Sequence, residues 1–281
     1  MSNQSEDALK EIAEKIERFL HEQADMFSPG VFFLGMRYQE GMTKHGADEP
    51  VSEPASEPAA ERHEQDTPVK PIPVMQDAPS DEHRGRLLDE FYQEIKDCQK
   101  CALAKGRTHL VFGAGNPNAT LMFVGEGPGR DEDLQGLPFV GPAGRVLDRM
   151  IKRLGFERDE VYIANIVKCR PPQNRDPLPE EVEACFPYLQ RQIDIIQPKF
   201  IFCLGRVAAH AMFGHKAELA TLRGRIHYFR NSKVIVTYHP AALLRNQKLF
   251  WATFEDMKLF RKLYDQEVGD KPPMENQNQN A

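Results

Sequence analysis

Residues 237–245 read TYHPAALLR, and they directly follow the β-branched run Val-Ile-Val at 234–236. That run predicts a buried strand. Pro240 ends the strand, because proline has no N–H to continue the ladder of hydrogen bonds. His239 is therefore expected just beyond a strand, at the edge where open α/β sheets bind their ligands.

The residues after the proline add an apolar pair and a cation, which are Leu243, Leu244 and Arg245. Both leucines are expected to be exposed at this edge. A histidine, a rigid turn, an apolar tip and a cation within nine residues would suit work on a nucleic acid. Taken alone, a strand-to-helix loop whose histidine caps the next helix is the simpler interpretation.

The rest of the chain alternates between strand and helix patterns. Strands are predicted at 121–124 (LMFV), 161–164 (VYIA), 200–204 (FIFCL) and 233–237, and helices at 81–96, 142–154, 179–196, 206–213 and 247–264. This alternation predicts an α/β fold, with an open, mostly parallel sheet and helices on both faces. Pro187 falls inside one helical pattern and predicts a kink or a split there.

Charge is distributed unevenly along the 281 residues. Residues 1–90 carry −11, residues 91–265 carry +7 and residues 266–281 carry −2, which sum to the net charge of −6. We predict an N-terminal amphipathic helix segment at 1–36, an acidic, proline-rich disordered linker at 37–80, a folded domain at 81–265 and a disordered tail at 266–281. The basic domain is consistent with a polyanionic partner.

Some classes of protein are disfavoured by the sequence. No apolar run is long enough to span a membrane, and the N-terminus lacks the pattern of a signal peptide. We therefore expect a cytoplasmic protein, in which cysteines serve as ligands or core residues rather than as disulfides.

Polar and aromatic residues follow three of the predicted strands. Glu126 and Gly127 lie in the loop GEGPG, which matches neither the dinucleotide fingerprint nor the P-loop. Phe139 is flanked by glycine and proline, and Asn165 ends the VYIA strand. Alone, each residue fits a turn, a cap or the core. Three strand ends bring Glu126, Asn165 and His239 to one edge of the sheet, which predicts a binding site.

Four cysteines form a second candidate site. Cys98 and Cys101 have the C-x2-C spacing, and Cys169 and Cys185 form a wider pair. Four thiolates can hold zinc or a [4Fe–4S] cluster, and spacing alone does not choose between them. Cys203 lies in the apolar FIFCL strand and is expected to be a buried core residue.

Three motifs, in order and together with the four cysteines, resemble the family 4 uracil-DNA glycosylases, the iron–sulfur type of bacteria and archaea. The motifs are GEGPGRDEDLQGLPFVGPAG, NIVKCRPPQNRDP and TYHPAALLR, within about residues 90–265. The resemblance implies that Cys98, Cys101, Cys169 and Cys185 hold a structural [4Fe–4S] cluster. It covers none of the first ~85 residues.

The resemblance also implies a role for each residue of the candidate site. Asn165 would read the edge of uracil, Phe139 would stack on the flipped base beside Gly127, and His239 would donate to uracil O2. Glu126 would activate water or stabilise charge, and Glu132 would support its loop. Leu243 or Leu244 would fill the space left in the duplex, and Arg245 would hold phosphates.

The implied function is hydrolysis of the N-glycosidic bond of uracil in single- or double-stranded DNA, which leaves an abasic site. The enzyme is expected to be a monomer, and residues 1–36 are a candidate site for a replication or repair protein. Two alternatives stay open. One is a non-catalytic uracil-DNA or polymerase-associated binding module, and the other is an iron–sulfur redox-sensing DNA-binding protein.

Overall fold

The computed structural model describes residues 81–214, 216–272 and 274. The amphipathic helix predicted within residues 1–36 and the linker predicted at 37–80 lie outside these residues. In the described part of the chain, no helix combines the length and the apolar composition that crossing a membrane requires.

One six-stranded sheet forms the centre of the fold. Its strands are β1 (Ala114–Gly115), β2 (Leu121–Gly125), β3 (Tyr162–Asn165), β4 (Phe200–Leu204), β5 (Ile226–Phe229) and β6 (Ser232–Thr237), in the order β1-β3-β2-β4-β6-β5. The four inner strands are parallel, which confirms the prediction. The two edge strands pair antiparallel, and the sequence analysis missed them.

Both missed strands carry weak sequence signals for a physical reason. β1 has only two residues, and β5 alternates between exposed and partly buried positions. An edge strand pairs on one side only, so it does not need the continuous apolar run that marks a strand buried on both faces. The inner strands β2, β3 and β4 are buried at every position.

Helices cover both faces of the sheet. They are α1 (Asp81–Ile95), α2 (Arg130–Gln135), α3 (Pro142–Arg153), α4 (Pro179–Ile196), α5 (Arg206–Phe213), α6 (Leu219–Leu222), α7 (Pro240–Arg245) and α8 (Leu249–Glu267). Side chains alternate along β2: Met122 and Val124 join the core under α1 and α4, whereas Phe123 stacks on Phe202, which meets Phe260 of α8. The α/β class with two covered faces is confirmed.

Two helices differ from what the sequence suggested. α4 continues through Pro187 without a break, so the predicted split is wrong. α8 ends at Glu267, and the chain after it is held by the buried Arg261, whose guanidinium donates to the carbonyls of Lys271 (2.8 Å) and Pro272 (2.5 Å). The ordered chain therefore extends past the boundary predicted at residue 265.

The parallel strands end level with one another. Gly125 at the end of β2 is paired with Asn165 at the end of β3, and Leu204 of β4 is paired with Thr237 of β6. This register brings the loops after β2, β3 and β6 to a single edge of the sheet.

Candidate active site

A pocket of about 460 Å³ opens at this carboxyl edge. Its volume lies within the range of small-molecule sites. Residues predicted for the site line its wall, namely Glu126, Gly127, Phe139, Asn165, His239, Leu244 and Arg245. The predicted convergence of the three strand ends is confirmed.

Asn165 lines the pocket with an amide whose oxygen is unpaired among the described residues. Its side chain is only 1% exposed, and Oδ1 has no hydrogen-bond partner among the described residues. Leaving a buried polar atom unpaired costs about 1–3 kcal/mol. Such a cost is typical of a site that meets its partner on a ligand, so this oxygen is available to accept from a polar group in the pocket.

Phe139 lies beside Asn165 in an unusual backbone conformation. Its φ is +52°, and its side chain is buried. Gly125 makes room for both side chains, since a Cβ at that position would lie 2.5 Å from Oδ1 of Asn165 and 2.6 Å from Cζ of Phe139. Gly144 does the same for the backbone, because its Cβ would collide with the carbonyl of Phe139. The aromatic ring is thus placed by the close approach of β2 and α3.

Glu132 holds the loop that carries these residues. Its carboxylate accepts from the backbone N–H groups of Gly129 (3.1 Å), Val140 (2.9 Å) and Gly141 (2.9 Å). One side chain thereby ties the start of α2 to the start of α3. This geometry fits the supporting role expected for Glu132.

Glu126 is a partly buried carboxyl group at the mouth of the pocket. Burial and the negative charge of Asp176 raise its pKa from 4.5 to about 7, against the opposing charges of Arg206 and Arg245. A carboxyl group with a pKa of about 7 is about half ionised at neutral pH, and its carboxylate form is basic enough to take a proton from water.

His239 caps α7 and lines the pocket at the same time, so its two interpretations do not exclude each other. Its Nδ1 accepts from the N–H of Ala241 at 3.2 Å. Burial and the charge of Arg245 lower the pKa of His239 to about 4, so the ring is neutral at pH 7. With Nδ1 acting as the acceptor, the proton lies on Nε2, which leaves that nitrogen as a donor.

The ring of His239 lies near that of Phe139, with centroids 5.6 Å apart. A planar ligand that contacts one ring is therefore close to the other.

The two leucines of the TYHPAALLR stretch separate. Leu244 is 44% exposed and lines the pocket, whereas Leu243 is fully buried. The expectation that Leu243 is exposed is therefore wrong. A buried Leu243 does not reach the space that uracil leaves in the duplex. Consecutive residues of a helix point about 100° apart, and α7 packs Leu243 inward. Leu244 and Arg245 are the exposed pair at the rim.

The four cysteines line a second, smaller pocket. The N–H of Lys168 donates to Sγ of Cys185 at 3.2 Å, and Arg107 donates to Sγ of Cys169 at 3.4 Å. Burial raises the pKa of the Cys169 thiol, and it raises that of Cys185 to about 12. Buried sulfurs that receive N–H donors fit a bound group that keeps them as thiolates.

Among the described residues, no group of three or more His, Cys, Asp or Glu side chains is already arranged to hold a single ion. Four thiolates are the ligand set both of structural zinc sites and of [4Fe–4S] clusters.

Residues 112–264, just over half of the chain, match the family model described as the uracil DNA glycosylase superfamily. The chain belongs to this superfamily. The resemblance noted from the three motifs is thereby confirmed.

Curated relatives within the superfamily include type-4 enzymes. The type-4 uracil-DNA glycosylase of Archaeoglobus fulgidus is 48% identical over 194 residues, which cover 66% of this chain and 96% of the relative. That of Sulfurisphaera tokodaii is 48% identical over 185 residues, which cover 63% and 84%. A type-5 uracil-DNA glycosylase of Pyrobaculum aerophilum is 30% identical over 188 residues, which cover 55% and 83%.

The sequence analysis of this uracil DNA glycosylase superfamily member missed Lys168, which lies between the two pockets. Lys168 is fully buried, and its Nζ donates to the backbone carbonyl of Asn165 (3.0 Å) and to Oε1 of Gln192 (2.5 Å). Gln192 in turn donates to the carbonyl of Phe112 at 3.0 Å. The sequence offers one weak signal for Lys168, which is its place in the mostly apolar run NIVKC. Lysine is almost never fully buried unless it is paired, so a lysine in such a run indicates a polar partner.

Proposed function

We propose that this protein is a DNA-repair glycosylase that hydrolyses the N-glycosidic bond of uracil in DNA and leaves an abasic site. The proposal rests chiefly on the buried amide of Asn165, whose oxygen lacks a partner beside an aromatic ring and a neutral histidine. Membership of the superfamily and the names of the type-4 relatives support the same conclusion.

Asn165 would read the base. Uracil presents an N3–H donor and an O4 acceptor next to each other, and an amide offers an acceptor and a donor at matching spacing. The unpaired Oδ1 would accept from N3–H, and Nδ2 would donate to O4. Binding would thus satisfy an atom that is left unpaired in the free protein.

The base must leave the DNA stack before it can enter the pocket. Phe139 would then stack on one face of the flipped uracil. Gly127, in the loop beside it, would leave room for the base because it has no side chain. A Cβ at Gly127 would lie 2.7 Å from Cγ2 of Val167, so the loop packs closely there.

His239 would stabilise the leaving group. Cleavage of the bond places negative charge on uracil O2, and a neutral Nε2–H can donate to it without giving up its proton. The contact from the N–H of Ala241 to Nδ1 holds the ring in the required tautomer. We assign His239 as the donor to the developing anion.

Glu126 would act on the sugar side of the bond. As a carboxylate it would stabilise the positive charge of the oxocarbenium-like transition state or orient the attacking water. The pKa of about 7 places this group near the range where a general base works best.

Leu244 and Arg245 would hold the flipped state at the rim of the pocket. Leu244 would occupy the space that uracil leaves in the DNA, and Arg245 would contact phosphates. Because the opposite strand is not needed for these contacts, the substrate would be uracil in single- or double-stranded DNA.

Cys98, Cys101, Cys169 and Cys185 would hold a [4Fe–4S] cluster. When bound, the cluster would link the segment after α1, the loop after β3 and α4 through iron–thiolate bonds. The N–H donors to Cys185 and Cys169 support this assignment. Residues 1–36 stay a candidate contact for a replication or repair protein, and the enzyme is proposed to act as a monomer.

A single-turnover assay tests the function. Excess protein is mixed with a uracil-containing single strand, and abasic product is detected after alkaline cleavage, for wild type, Asn165→Ala and His239→Ala. We expect release of uracil by the wild type and loss of most of the rate in both variants. A folded wild type that binds the strand but releases no uracil would refute the proposed glycosylase activity and favour the non-catalytic binding module.

A further inference from the structure

A row of arginines runs away from the pocket along α3. Arg145, Arg149 and Arg153 are spaced four residues apart, so they follow one side of the helix over ~12 Å. The helix begins at Pro142, which itself lines the pocket. The row therefore starts within one helical turn of the pocket wall.

An aromatic cluster of α8 adjoins the far end of this row. The guanidinium of Arg153 lies 4.7 Å from the ring centroid of Phe254, and Nζ of Lys258 lies 5.4 Å from it. Trp251 packs edge-on against Phe254, with centroids 6.1 Å apart, and it is 45% exposed. A large indole ring that stays exposed next to cations offers a flat surface for stacking.

Two carboxylates in the described part of the chain that lie beside this surface pair with cations outside the arginine row. Asp148 of α3 is paired with Arg158, and Glu255 of α8 is paired with Lys258 at 2.6 Å. Partial burial and the charge of Arg145 both lower the pKa of Arg149, whereas the charge of Asp148 raises it. Neighbouring arginines that repel each other indicate a surface that gains from a polyanion.

We propose that this surface, defined by Arg145, Arg149, Arg153, Trp251, Phe254 and Lys258, binds the DNA strand that flanks the flipped uracil. The arginines would contact successive phosphates, and Trp251 would stack on an unpaired base. The combination of a cationic path with an aromatic platform is the general design of single-strand binding sites. The proposal rests on the proposed function, because it takes the strand to start at the uracil pocket.

Fluorescence tests the stacking contact directly, since Trp251 is the single tryptophan of the chain. Full-length protein is titrated with strands that carry one uracil and one, three or six nucleotides on either its 5′ or its 3′ side. We expect quenching to begin at a defined flank length and on one side only. Fluorescence that stays constant with every strand, while the protein binds and cleaves them, would refute the surface.

Affinity and its dependence on salt test the arginines. For single strands, each phosphate contact contributes ~0.7 to the slope of log K against log salt concentration. The Arg145→Gln/Arg153→Gln double variant should therefore lower the slope by ~1.4. A matched double variant, Lys199→Gln/Arg191→Gln, removes two cations elsewhere and should leave the slope unchanged. Lys199 directly precedes β4, at the amino edge of the sheet.

Trp251→Ala should weaken binding of long strands by ~5- to ~150-fold, the range for one stacked base, and should leave binding of the shortest strand unchanged. Tyr228→Ala, which removes another exposed aromatic ring, serves as its control. Equal losses in the two variants, or equal losses on long and short strands, would contradict the proposal. So would a fluorescence change that follows protein concentration, since that marks contact with a second copy.

The outcomes separate this proposal from the proposed function. If wild type releases uracil but the Trp251 and arginine variants bind the strand as tightly as wild type does, only the proposed binding surface is refuted. If wild type releases no uracil from any strand, the function fails, and the path from the uracil pocket fails with it.

Discussion

Replacing Glu126 by glutamine should make the protein more stable and less active at the same time. In the folded state, burial and Asp176 raise the pKa of this carboxyl group from 4.5 to about 7. Above pH 7 the fold must therefore hold a carboxylate in a place that favours the neutral acid. Glutamine has nearly the same shape and never ionises, so it removes this cost.

The size of the effect follows from the pKa. One pKa unit corresponds to ~1.4 kcal/mol, so a change from 4.5 to about 7 corresponds to at most ~3.4 kcal/mol. Partial exposure of the carboxyl group to water reduces the expected value to about 2 kcal/mol. The sign depends on pH: below 4.5 the acid is neutral in both states and the gain is absent. The gain grows between pH 4.5 and 7 and is complete by pH 8.

Thermal unfolding of the purified protein at pH 5 and pH 8 measures this difference. For a domain of this size, about 2 kcal/mol corresponds to a rise in Tm of ~4–8 °C at pH 8. Glu183→Gln, which removes an exposed carboxylate of α4, controls for the loss of one negative charge. A gain in Tm that is equal at pH 5 and pH 8 would refute the raised pKa.

The same residue should set the pH dependence of the reaction. If the carboxylate is the active form, a pKa of about 7 predicts a ~10-fold rise in the single-turnover rate between pH 6 and pH 8. Asp176→Asn removes a charge that raises this pKa, so it should shift the midpoint of the profile to lower pH. A midpoint that moves to higher pH, or not at all, would show that another group controls the profile.

Four further changes test the site. His239→Ala should lower the single-turnover rate by ~100- to ~1,000-fold, the usual loss for one donor to a developing anion. Because its pKa is about 4, His239 should leave the pH–rate profile unchanged between pH 6 and pH 8, and a second step in that range would contradict the neutral donor. Lys168→Met should weaken uracil binding without abolishing cleavage, because its Nζ holds the backbone of Asn165; KM that stays constant would contradict this positioning role. Gly125→Ala should block base binding, since its Cβ would lie 2.5 Å from Oδ1 of Asn165, and wild-type affinity would show that the amide can move away. Cys185→Ser should reduce the visible absorbance and the iron content of the purified protein, and full iron content would argue against Cys185 as a ligand.

Much of the fold could be read from short-range patterns. The strands β2, β3, β4 and β6 are buried on both faces, so each can be recognised in the sequence as a continuous apolar run. Helices connect these strands, and such connections make the sheet parallel. The sequence analysis missed the edge strand β5, because a strand that is paired on one side only does not need a continuous apolar run. The strand-end residues Glu126, Asn165 and His239 could be predicted because parallel strands bring their carboxyl ends to one edge.

The sequence by itself thus determined the four inner strands and the longer helices, the edge that carries the site and the motifs that indicate the family, since all of these depend on neighbours in the chain. Only the tertiary structure decided which leucine is exposed, because Leu243 and Leu244 differ in what α7 packs against. It also decided the pKa values of Glu126 and His239, the tautomer of His239 and the burial of Lys168. These properties arise from groups far apart in the sequence, such as Asp176 beside Glu126 and Gln192 beside Lys168, and from the exclusion of water when the chain folds.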